Sequence, residues 1–218
     1  VLSRKLKRTV LNESEGGGSN ARMVRTTCEY LQSLPESAYK DLIVVLGWTT
    51  VDRNEIYLED GDVGVWGILN ATQPVSDHSR PVSKDFFKKV DAWQKQYVEL
   101  VYNHYSNYQK YFQEIYLMSN VLENLGIQYL FFNSLPWRNS WTHPVDFNVT
   151  VEFKKQIASV MSPKILNTRD CNDNLNCMSI FCRDNDVPMA ADHHTMMEGH
   201  KKWADHLHCE MIQLGYVS

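Results

Sequence analysis

The sequence predicts one α/β domain in which helices cover both faces of a parallel sheet. Three observations carry this. Short apolar runs recur along the chain, each followed by a helical pattern, and the order strand, helix, strand, helix, strand, helix gives a parallel sheet flanked on both sides. The run Asp41–Trp48 is apolar almost throughout instead of alternating, as a strand buried on both faces must be. With 218 residues, 43% of them hydrophobic and 22% charged, the chain can bury one sizeable core and is too apolar to be disordered.

Leu2–Lys7 reads as the end of a helix, and position 1 is Val, not Met. The expectation is therefore an N-terminally truncated domain over residues 1–218 that lacks its first strand. Thr9–Asn12 predicts a short strand. Gly16-Gly17-Gly18 turns the chain into a helix reaching Leu34, with Ser19 or Asn20 as N-cap, Met23, Val24, Thr27 and Leu31 as inner face, and Pro35 as the stop. Such a turn can be a plain tight turn, or it can point backbone amides at an anion. The phosphate-loop pattern is absent, since no Gly-Lys-Ser/Thr follows.

Thr49–Glu55 leaves the C-terminal end of the 41–48 strand, where open α/β sheets bind ligands. Arg53 and Glu55 there read as a surface ion pair of small energetic value. Residues 50–82 lack a long period and predict a loop insertion over the site, lid-like in position. Ser83–Leu125 predicts two long helices with a break between Asn103 and Asn107. Ser83 caps the first, with Phe86, Phe87, Val90, Trp93 and Tyr97 behind it. Tyr102, Tyr105, Tyr108 and Tyr111 read as a packing stripe in preference to a stacking platform for sugars or bases. Gly126 ends the second helix and Ile127–Phe132 forms the next strand. Asn133–Trp137 leaves on the same rim as Thr49, where Trp137 and Trp141 line an apolar pocket or support it from within. Val151–Met161 predicts a short helix, and residues 163–186 a polar stretch carrying three cysteines.

The last helix is the clearest. Trp203, Leu207, Met211 and Leu214 share one face, Thr195 is a candidate N-cap, and Glu198 stands at capping-box spacing from it. Asp192 and His194 then lie on the loop feeding this helix. A carboxylate so placed can orient an imidazole, which acts as general base toward a nucleophile elsewhere.

Composition narrows the partners. A net charge of −4 argues against nucleic acid or an anionic membrane surface, and no apolar run is long enough to span a bilayer. The odd count of five cysteines (28, 171, 177, 182 and 209) reads as reduced thiols in a cytoplasmic setting, with a Cys171–Cys177 bridge the less favoured alternative. The sequons at Asn12, Asn70 and Asn148 read as chance in a chain without a secretory signal. Cys171, Cys177 and Cys182 lack zinc-site spacing, and His200 and His206 do not share a helix face, so neither a metal nor a cofactor is expected.

The block Asp192-x-His194, Glu198-Gly199-His200, Trp203-Ala204 and Leu207 resembles the last block of the SGNH/GDSL hydrolases. Thr195 stands where that family often has Pro. Asn12-x-Ser14-x-x-Gly17 resembles its second block, and Gly47-Trp48-Thr49-Thr50 occupies the place of its third, with the usual Asn absent. Trp48-Thr49-x-x-x-Arg53-x-Glu55 resembles a divergent, phage-like branch. The resemblance implies a flavodoxin-like three-layer α/β/α fold and a serine ester hydrolase working by a Ser-His-Asp triad. In it His194 is the base and Asp192 its partner. Gly17, with Gly16 and Gly18 as register alternatives, and Thr49 form the oxyanion hole, and Arg53 and Trp137 contact the substrate. The first block, which carries the nucleophilic Ser, has no match, and Ser3, Ser14 and Ser19 lack the strand that should precede it. The implied substrate is a small-molecule, carbohydrate or lipid ester; the alternatives are a non-catalytic binding or virion-associated protein on the same fold, and a metal-dependent hydrolase using Asp192, His193, His194 and His200.

Overall fold

Two parallel strands, β1 (Ile43–Trp48) and β4 (Gln128–Asn133), organise the molecule, in register from Ile43 opposite Gln128 to Trp48 opposite Asn133. The computed structural model describes residues 2–14, 18–60, 63–70, 84–134, 177–188, 190 and 195–217. Both strands are short and apolar with aromatic and β-branched residues, which suits a pleated surface packed on both sides. Tyr129, Leu130 and Phe131 are fully buried. Each such side chain contributes about 1.5–3 kcal/mol of transfer free energy.

Successive residues point to opposite faces. Val44, Leu46, Trp48, Tyr129 and Phe131 pack into one cluster with α2 (Asn20–Ser33) and α4 (His104–Asn124). Ile43, Val45, Leu130 and Phe132 pack into a second with α1 (Leu2–Leu6), α5 (Met178–Asp184) and α6 (Met197–Gln213). The molecule is a mixed α/β protein with a small parallel sheet and helices on both its faces. Cys177 makes a parallel bridge to Asn133, on β4, and leads into α5.

The helices against β4 run opposite to it. On α4, Tyr111 meets Asn133 and the later Glu123 meets Tyr129. On the other face, Trp203 packs edge-on against Phe132 at 5.1 Å, and Tyr216, just past α6, donates to the Tyr129 carbonyl at 3.1 Å. The N-terminal halves of α4 and α6 therefore stand at the carboxyl edge of the sheet. α2 also begins there, because Asn20 bonds the backbone of Thr49.

Several expectations hold. Ser19 caps α2 by accepting from the Arg22 N–H at 3.1 Å, and Pro35 follows its last turn to open a short 3-10 helix, Glu36–Asp41. The long helices are α3 (Lys84–Leu100) and α4, and Asn103 caps the second by accepting from Ser106 N–H at 3.1 Å. Tyr108 and Tyr111 are core residues. Gly126 ends α4 with φ 67°, a conformation that side chains with a Cβ rarely adopt.

Others are corrected. Thr9–Asn12 is not a strand: it has no ladder partner, and Val10 and Leu11 are exposed at 44% and 57%. An apolar run of this length forms a strand only where a neighbour pairs its backbone. The 50–82 insertion is not a loop throughout, since β2 (Arg53–Asp60) and β3 (Val63–Asn70) form an antiparallel hairpin. Asp60 opposite Val63 leaves two residues, Gly61-Asp62, between the strands. That Gly-Asp pair is the missed hairpin signal. The polar stretch 163–186 contains α5, with Cys177 and Cys182 buried. Thr195 is not the N-cap of α6; Met196 holds that position without a side-chain bond. Thr195 instead packs on Gly199, where an added Cβ would collide with its methyl group and come within 3.0 Å of Val187 and 3.1 Å of the Cys182 sulfur. The expected helix at 151–161 and the Ser83 cap lie outside the described residues.

Candidate functional site at the carboxyl edge

The Asn20 side chain closes the end of β1 as a strand partner would. Its Oδ1 accepts the Thr49 N–H at 2.8 Å and its Nδ2 donates to the Thr49 carbonyl at 3.3 Å. Beside it the Ser134 N–H donates to the Trp48 carbonyl at 2.8 Å, which extends the β1–β4 pairing by one bond. Thr49 is thus held by its backbone, and its amide is not available to a ligand. Its hydroxyl oxygen accepts from Arg53 Nη1 at 3.1 Å, which leaves the hydroxyl proton free to donate.

Around Thr49 the buried polar side chains concentrate. Of the nine among the described residues, Ser19, Asn20, Thr49, Thr50, Asp52, Asn54 and Asn107 lie at this edge. The Asp52 carboxylate accepts from the Tyr102 hydroxyl, and Asn133 Oδ1 accepts from the Tyr111 hydroxyl. Burial pushes the pKa values of both tyrosines above the usual phenol range, so each stays a donor. Asn54 Oδ1 accepts from Lys110 Nζ at 3.2 Å, and Glu114 lies 3.7 Å from the same ammonium. Burial raises the Glu114 pKa to about 6, against the pull of Lys110. Two buried donors here have no partner among the described residues, Trp48 Nε1 and Asn54 Nδ2.

The two arginines flanking the site differ. Arg25 of α2 makes a bidentate pair with Glu55 at 2.8 and 2.9 Å and also bonds Glu29. These bonds, led by that to Glu55, push its pKa up. Among the described residues no carboxylate is bonded to Arg53; burial lowers its pKa, and the nearby Asp52 charge offsets this in part. The expected Arg53–Glu55 surface pair is therefore corrected: Glu55 is buried and belongs to Arg25. In β2, positions 53 and 55 are separated by a full pleat, and only Glu55 meets α2.

Of the site residues read from the sequence, Thr49 and Arg53 come together. Gly17, Trp137, Asp192 and His194 lie outside the described residues, as do Gly16, Trp141 and His193. The flank of the Asp192–His194 segment is described: Thr195 and the first turn of α6 stand at the carboxyl edge, by the direction of that helix. Asn20, Asp52, Asn54, Tyr102, Asn107 and Lys110 carried no motif. Asn107, Lys110 and Glu114 at helical spacing on α4 were the one legible signal, a polar face on a helix otherwise packed inward. Among the described residues, no three His, Cys, Asp or Glu side chains group as metal ligands, and no helix is long and apolar enough to cross a membrane. Cys28, Cys182 and Cys209 are free thiols.

The fold and this edge define a mixed α/β protein whose buried polar groups gather where its parallel strands end. The chain belongs to a family of unknown function (DUF6071), whose model matches residues 1–142. That span takes in β1, the hairpin, α4 and β4 and stops before α6. No curated protein and no solved structure matches the chain.

Proposed function

We propose that the protein is a serine ester hydrolase of the SGNH type on a flavodoxin-like three-layer α/β/α fold. His194 takes the proton of the nucleophilic Ser, Asp192 holds the imidazole, and the Thr49 hydroxyl, with the Gly17 amide, donates to the developing oxyanion. The observation that carries the reading is the convergence at one edge: β1 ends there in a buried Thr49 with a free hydroxyl proton, and α2 and α6 both begin there. The helix N-termini add positive potential where a tetrahedral intermediate would carry negative charge. In this reading the nucleophilic Ser lies outside these 218 residues; Ser19 does not serve, since its Oγ is committed to its cap and buried. Reduced thiols fit a cytoplasmic setting. Thr49 in the place of the family's Asn favours a second reading, a binding protein on the same fold.

The test is hydrolysis of a short-chain nitrophenyl ester. The 218-residue chain should be inactive, and a chain extended by the residues encoded upstream should be active. In the extended protein His194→Ala should lower kcat by about three orders of magnitude or more. Full activity of that variant would remove the base and with it the triad; an inactive extended protein favours the binding reading.

A further inference from the structure

Arginine carries five N–H donors in a planar fork. Arg53 uses one of them, toward Thr49 Oγ1. Among the described residues nothing else bonds this half-buried side chain, at the edge where the parallel strands end. The fold pairs its other arginine at this site fully: two residues along the same strand, Glu55 takes both arms of Arg25. Arg53 has instead only the through-space attraction of Asp52, whose carboxylate accepts from Tyr102. Desolvating a guanidinium without giving its donors acceptors is unfavourable. Such a group persists where a ligand supplies the acceptors.

We propose that the open fork of Arg53 binds a carboxylate or phosphate group of the ligand, so that the substrate of this site is an anionic ester. Naming the ligand a substrate rests on the hydrolase reading; the anion site itself does not. Arg53 also fixes where that anion sits relative to the reaction. The same guanidinium that bonds Thr49 Oγ1 bonds the anion, so the charged group lies next to the hydroxyl that faces the reacting carbonyl. Asp52 offsets the charge of Arg53 but supplies no acceptor to it. Recognition therefore depends on the geometry of the fork more than on net charge, and lysine cannot replace it.

The experiment titrates the protein with inorganic phosphate and, separately, with succinate, by calorimetry at constant ionic strength held with NaCl. One of the two should bind saturably. Phosphate alone identifies a phosphate-bearing ligand, and succinate alone a carboxylate. Arg53→Met should weaken that binding by about tenfold or more, and Arg53→Lys, which keeps the charge and the packing stem, should weaken it nearly as much. Unliganded melting curves establish that both variants fold. Binding of neither probe, or equal binding by wild type and Arg53→Met, overturns the proposal, and an Arg53→Lys protein that binds like wild type overturns the fork as its basis. Ester hydrolysis by the extended protein is scored apart: anion binding through Arg53 without hydrolysis sinks the enzyme reading alone, and hydrolysis without an Arg53-dependent anion sinks the anion site alone.

Discussion

The two edges of the strand pair are built on opposite plans. At the amino edge, the Ile127 N–H donates to Leu122 O, Tyr129 donates to Glu123 Oε1 at 2.7 Å, and Tyr216 donates to the Tyr129 carbonyl at 3.1 Å. Apolar Ile127 and Met211 are buried, one on each face of the sheet. At the carboxyl edge, side-chain amides, hydroxyls and charges gather, and among the described residues Trp48 Nε1 and Asn54 Nδ2 have no partner. Unpaired buried donors cost stability, here as at Trp203 Nε1 and His206 Nε2 on α6. The amino edge is closed by hydrogen bonds and apolar packing; the carboxyl edge is built largely of polar side chains.

The largest test of this contrast is Asn20. Asn20→Ala removes both bonds to the Thr49 backbone and leaves two buried groups unpaired, so it should cost about 3 kcal/mol in urea unfolding. Asn20→Asp should fare no better, because it sets an acceptor against the Thr49 carbonyl. A wild-type-like Asn20→Asp would show that the clamp is not what closes the end of β1.

Glu114 gives a smaller effect with a definite pH dependence. Its pKa is raised from 4.5 to about 6, so the protonated form is the one the fold favours. Its contribution is full below pH 4.5 and fades as pH rises through about 6, a loss of about 2 kcal/mol when it is complete. Glu114→Gln avoids that loss, which already includes the opposing attraction of Lys110. Relative to wild type, the variant should be near neutral at pH 4, more stable by somewhat under 1 kcal/mol at pH 5 and by about 2 kcal/mol at pH 7.5. A pH-independent difference would place Glu114 in water.

The smallest effect belongs to the amino edge. Tyr216→Phe removes one bond from a half-buried hydroxyl, and the protein should lose about 1 kcal/mol or less while any anion binding at Arg53 stays unchanged. A Tyr216→Phe protein with altered anion affinity would mean that the edges are coupled through β4.

What the sequence determined by itself was local. The apolar runs at 41–48 and 127–132, each within a residue or two of its strand, the Ser19 cap, the stop at Pro35, a break at Asn103, read as reaching Asn107 where the helix in fact starts at His104, and the inward face of Trp203, Leu207 and Met211 are each set by neighbours within a turn or two. The 53–70 hairpin was also legible, in its Gly-Asp pair, but the glycines and acidic residues around it read as a loop. Thr9–Asn12 shows the converse: an apolar run is a strand only if another strand reaches it, and that depends on distant residues. The site was legible where single residue types carry chemistry, at Thr49 and Arg53. Only the tertiary structure could give Glu55 to Arg25, Asp52 to Tyr102, and the Thr49 backbone to Asn20, 29 residues away. Hydrogen-bond partners at such separations leave no period and no spacing in a sequence, because the chain between them is free to take any path that brings their ends within 3 Å of each other.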